Sequence, residues 1–170
     1  MGASVYGARR ALLRRVFRRE MPRSGAPQPG VWGHVATGVV PVTRRILVVD
    51  DDPLLREVAQ AALELVGGWE VHTAQSGPQA QQRALTEHPD AILLDVMMPS
   101  VDGPSTVAVL RADPATRDIP IIFLTAKVPS ENLEEWRSLR LAGVIPKPFD
   151  PMTLATDMAA LLGWAAEAPT

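Results

Sequence analysis

Four short apolar runs in this chain each stop at a polar residue. Ile46-Leu47-Val48-Val49 runs into Asp50-Asp51-Asp52, and Ala91-Ile92-Leu93-Leu94 into Asp95. The run from Ile119 to Leu124 meets Thr125, and Val144-Ile145-Pro146 meets Lys147. Runs of this length between turn signals are strands buried on both faces, which is the signature of a parallel sheet covered by helices. If they lie side by side, carboxylates, a hydroxyl and an ammonium converge at one sheet edge.

The segments between the runs carry helical patterns. Strand 1 is read over about 45–50 and helix 1 over about 53–66, with Asp52 as N-cap, Pro53 at the first position and Gly67-Gly68 as the stop. Strand 2 is about 69–74, helix 2 about 77–87, strand 3 about 90–95 and helix 3 about 104–111. Strand 4 is about 120–124, helix 4 about 130–140, strand 5 about 143–147 and helix 5 about 151–163. Alternation of this kind predicts an α/β, flavodoxin-like, doubly wound five-stranded parallel sheet with helices on both faces. Pro146 cannot donate to a ladder, so strand 5 belongs at an edge, in keeping with strand order 2-1-3-4-5.

Charge divides the chain. Residues 1–45 carry nine Arg and one Glu, whereas residues 46–170 carry eight Lys or Arg and eighteen Asp or Glu, within a total of -2. Residues 1–43 read as a basic, Pro/Gly-rich, disordered tail, 44–165 as the folded domain and 166–170 as a short C-terminal tail. Within the tail, Ala8 to Arg19 puts Leu12, Leu13, Val16 and Phe17 on one helical face. The acidic domain is ill suited to direct DNA binding, which needs a basic surface. With no cysteine in the chain, disulfides and thiolate metal sites are excluded, and a reducing, cytoplasmic setting is expected. No apolar stretch approaches the roughly 20 residues of a membrane span.

In an open parallel sheet, ligands bind beyond the carboxyl ends of the strands, where strand order reverses. Here that point lies between strands 1 and 3, where Asp50, Asp51 and Asp95 would stand together. Clustered carboxylates repel, and a divalent cation such as Mg2+ relieves the repulsion through oxygen ligands. A carboxylate can also act as a nucleophile toward phosphorus, with an ammonium and a hydroxyl on the phosphoryl oxygens. Asp95 is the candidate nucleophile, with Lys147 and Thr125 as its electrostatic partners.

The segments RILVVDDDP, AILLDVMMPSVDG, PIIFLTAK and GVIPKPF, in this order and spacing, resemble a response-regulator receiver domain over about residues 44–165. The resemblance implies that Asp50 and Asp51 hold Mg2+, Asp51 directly and Asp50 largely through water. It makes Asp95 the phosphoacceptor and Met97 the residue lending a backbone carbonyl to the metal. It makes Thr125 the switch hydroxyl and Lys147 the phosphate-binding lysine, with a cis Lys147–Pro148 bond. Val144 stands where the family often has an inward-swinging Tyr or Phe, so switching is expected to rely on the loop and helix after Thr125.

The implied function is a single-domain response regulator. It takes a phosphoryl group from a histidine kinase or phosphotransfer protein and signals through contacts with an unknown downstream protein. Only Ala165 to Thr170 follow helix 5, so no output domain is expected. A homodimer through the helix 4–strand 5–helix 5 face is a further expectation, and a phosphorelay intermediate or phosphate sink is the alternative role. An aspartyl-nucleophile enzyme would want an acid/base carboxylate two residues after the nucleophile, where Met97 stands; no turnover of an external substrate is expected.

Overall fold

The computed structural model describes residues 43–99, 101–126, 136 and 138–164. The predicted tails therefore lie outside the described residues, apart from Thr43, and so does most of the predicted fourth helix. Five strands are present: β1 (Arg45–Val49), β2 (Glu70–Ala74), β3 (Ala91–Asp95), β4 (Ile121–Thr125) and β5 (Gly143–Pro146). The helices named here are α1 (Pro53–Leu65), α2 (Gly77–Glu87), α3 (Gly103–Ala112) and α4 (Leu154–Leu161).

All strand pairs are parallel and their order is β2-β1-β3-β4-β5, as the alternating pattern and the edge position of Pro146 predict. The apolar runs are explained by burial on both faces. Leu47, Val49, Ile92, Leu94 and Phe123 pack with Ala80, Ala84, Val107 and Leu110 of α2 and α3. Their neighbours Ile46, Val48, Leu93, Ile122 and Leu124 face the opposite way and pack with Ala59, Leu63, Leu154 and Met158 of α1 and α4. Alternate residues of each strand thus bury into different cores, which removes any room for a polar position within the run.

Helix starts follow the local signals. Asp52 caps α1 by accepting hydrogen bonds from the Leu54 and Leu55 amides at 2.8 and 3.3 Å. Asp102 caps α3 through the Ser105 amide at 2.8 Å, and hydrogen bonds from the Ser105 side chain and then its amide hold the Asp102 carboxyl below the usual carboxylate range. The final helix begins three residues later than expected. The Asp150 side chain accepts from the Met152 amide and its carbonyl from the Thr153 and Leu154 amides, forming a turn that delays helical winding until Leu154.

Candidate functional site

Three strand ends deliver the site. The Asp50 amide donates to the Ala74 carbonyl at 3.1 Å just beyond β1, while Asp95 is the last residue of β3. Thr125 is the last residue of β4, and its carbonyl accepts the Lys147 amide at 2.7 Å, which sets the lysine beside it. Asp50, Asp95 and Thr125 are only 1%, 4% and 2% exposed, so their chemistry is held at the rim of the core.

The carboxylates of Asp50, Asp51 and Asp95 offer ligand atoms that all lie within 4.8 Å of one another, with Asp51 exposed and the other two buried. Lys147 reaches between the buried pair, with Nζ 2.8 Å from Asp50 Oδ2 and 3.1 Å from Asp95 Oδ1. At full ionisation, three carboxylates and one ammonium leave two negative charges on the pocket. This balance and an all-oxygen donor set match a hard divalent cation such as Mg2+. The Met97 amide donates to Asp95 Oδ1 at 3.2 Å, which fixes the carboxylate, and the residue is 75% exposed.

Burial pushes the Asp95 carboxyl above the ordinary range, against the hydrogen bonds from Lys147 and the Met97 amide that pull it down. Burial opposes the charge on Lys147 too, but its hydrogen bonds to Asp50 and Asp95 outweigh that effect and its pKa rises. The lysine therefore stays charged between the two carboxylates it bridges.

Several supports were not visible in the sequence. Arg56, one turn into α1, donates from Nη1 to the Asp50 carbonyl at 2.5 Å. The Asp52 amide donates to Asp50 Oδ1 at 2.8 Å, so Asp50 is bound through both carboxylate oxygens and its carbonyl. Gly103 opens α3 against the nucleophile's backbone: a Cβ there would stand 3.0 Å from the Asp95 carbonyl oxygen and 2.9 Å from Val96 Cα. None of these is marked by a residue pattern, because a guanidinium reaching a carbonyl or a helix start pressed on a strand end depends on tertiary distance.

The Lys147–Pro148 bond is cis, as the resemblance implies. Val144 is partly buried against the core that contains Phe123 and Trp136, whose rings meet edge to face at 5.1 Å. The segment after Thr125 that was expected to carry the switch lies mostly outside the described residues.

A family model described as the response regulator receiver domain matches residues 46–159. The chain is 38% identical over 121 residues to the phosphate regulon transcriptional regulatory protein PhoB of Pseudomonas aeruginosa, covering 71% of this chain and 52% of that protein. It thus spans about half the length of such relatives. Among solved structures it is similar to the chemotaxis protein CheY4 of Vibrio cholerae, with TM-score 0.66 and 30% identity, covering 70% of this chain and 98% of that one. It is also similar to the receiver domain of the sensor histidine kinase PA1611 from P. aeruginosa, with TM-score 0.63 and 31% identity, covering 71% and 98% of the two chains. That receiver has a magnesium ion coordinated in its active-site cleft.

Proposed function

The chain belongs to the response regulator receiver domain family, and from that premise we propose that it is a response-regulator receiver phosphorylated on Asp95 by a histidine kinase or phosphotransfer protein. The observation that carries this reading is the Lys147 ammonium bridging Asp50 and Asp95 at 2.8 and 3.1 Å beside a third carboxylate. Asp50, Asp51, Asp95 and the Met97 carbonyl would hold Mg2+, which when bound neutralises charge on the phosphoryl oxygens.

The chain's own residues account for the rest of the transfer. A carboxylate oxygen of Asp95 attacks phosphorus of a phosphohistidine, the new P–O bond forms as the P–N bond breaks, and the imidazole leaves with the electron pair. Lys147 then exchanges part of its contact with Asp95 for a phosphoryl oxygen, and the Thr125 hydroxyl donates to another. The charge added at Asp95 acts on the face expected from the helix predicted over about 130–140, β5 and α4, which recruits a downstream protein or a second copy of the chain. Because Val144 replaces a large aromatic residue, movement centres on the segment after Thr125. The protein works in the cytoplasm and turns over no external substrate. The second reading, a relay intermediate or phosphate sink, has the same chemistry with onward transfer in place of recruitment.

The test is direct. Incubation with Mg2+ and acetyl phosphate adds about 80 Da to the wild-type chain, as one phosphoryl group requires. Asp95→Asn gains nothing. An unmodified wild type with every donor tried, or an adduct that survives Asp95→Asn, overturns the assignment.

A further inference from the structure

At the opposite end of the sheet, where β4 and β5 begin, a cavity of about 250 Å3 is lined by Arg111, Arg117, Asp118 and Arg140 together with Pro120 and Ala142. Three of the eight Lys or Arg residues in the acidic segment 46–170 thus meet in one concavity. Asp118 is the one carboxylate among the lining residues; its side chain is 85% exposed and stands 3.6 Å from Arg117 Nε.

Arg111 belongs to the last turn of α3 and is built in by its backbone partners. Nη1 donates to the carbonyls of Arg117 and Ile119 at 2.6 and 2.8 Å, and Nη2 to the Arg140 carbonyl at 3.3 Å. These acceptors are neutral, and Nε is buried without an acceptor among the described residues. Burial and the nearby Arg140 guanidinium both push the Arg111 pKa down, and Asp118 offsets only part of this. A fixed guanidinium and two exposed ones around one concavity describe a site short of one anion. Planar guanidinium groups pair in bidentate fashion with phosphate oxygens, which makes phosphate the best-matched oxyanion.

We propose that the Arg111–Arg117–Arg140 cavity binds a phosphate-type oxyanion, either free or as the diphosphate of a nucleotide. The site is separate from the Asp95 pocket and does not depend on phosphorylation there. Arg111 supplies the fixed charge, and Arg117 and Arg140 close on the ligand from the exposed side.

The experiment is a pyrophosphate titration of the full-length, 15N-labelled protein without Mg2+, at constant ionic strength held with NaCl. Saturable shifts are expected at the Arg111 and Arg140 side-chain Nε–H groups and at the amides of 140–142. Arg140→Gln, which leaves the carbonyl staple in place, weakens binding about tenfold, as loss of one charge-assisted pair would, and Arg117→Gln does so less. ADP binding more tightly than pyrophosphate assigns a nucleotide, and equal binding assigns the free anion. Asp95→Asn leaves the shifts unchanged. The proposal is overturned if shifts are confined to residues 1–45 or to the surroundings of Asp95 and Lys147, if NaCl alone reproduces them, or if both arginine variants bind as the wild type does.

Discussion

The two ends of the sheet solve opposite electrostatic problems with the same kind of long side chain. At the carboxyl ends of β1 and β3, Lys147 lies between two buried carboxylates and leaves the pocket negative. At the starting ends of β4 and β5, Arg111 lies among backbone carbonyls and leaves the cavity positive. The lysine is a compact charge paired with charges, so its loss changes chemistry; the arginine is a fork holding loops together, so its loss changes architecture. An ionic contact at one end and a dipolar one at the other give the domain a reactive rim and a structural base.

That contrast can be broken most sharply at Asp95. Asp95→Asn is expected to abolish the phosphoryl adduct entirely in intact-mass measurement, whereas Arg111→Ala leaves adduct formation intact. The same Asp95→Asn change raises the thermal midpoint of the metal-free protein. Burial lifts the Asp95 pKa, so its ionised form costs folding energy above that pKa, and the amide removes the cost. An unchanged or lower midpoint refutes this account of the pocket.

Lys147→Met comes next. It leaves Asp50, only 1% exposed, without its ammonium, and unpairing a buried charge costs about 3 kcal/mol. Urea denaturation measures the loss, and Mg2+ is expected to restore part of it by supplying the missing positive charge. Arg111→Ala forfeits three bonds from a charged donor and is expected to cost about 2 kcal/mol in the same assay, with no rescue by Mg2+. Rescue of the arginine variant by Mg2+, or none for the lysine variant, would erase the distinction between the two ends.

The pH dependence is the gentlest probe. Mg2+ and protons compete for Asp95, whose pKa is raised, so Mg2+ affinity is expected to start falling at a pH above the usual carboxylate range as solutions are acidified. Lys147 works in the other direction. Its folded pKa lies above its unfolded value, so its stabilisation is complete below the ordinary lysine range and is lost as pH rises through the raised value. Mg2+ titrations followed by tryptophan fluorescence, and urea midpoints above pH 10, read the two effects separately.

What could be read in the chain, and what could not, follows the same divide. Strands β1, β3 and β4 were legible because burial on both faces demands unbroken apolar runs, and Pro146 alone placed β5 at the edge. Asp50, Asp95, Thr125 and Lys147 were legible because each ends a run. Their gathering at one rim follows from the parallel order once it is known. Arg56 on the Asp50 carbonyl and Arg111 on three carbonyls left no trace, since any residue offers a carbonyl and only distance selects which one is met. The late start of α4 was missed for a local reason: Asp150 spends its oxygens on a turn before any helix can use them.

Gly103 carries a consequence for how such a pocket can change. Because α3 begins against the backbone of Asp95 and Val96 with space for a hydrogen and no more, the third helix serves as a mechanical stop for the reactive carboxylate. Adding even one methyl group would push that stop outward and carry the nucleophile with it. Residues exposed around the rim are free to diversify toward new partners, while the depth at which the chemistry sits is gauged by an atom that is not there.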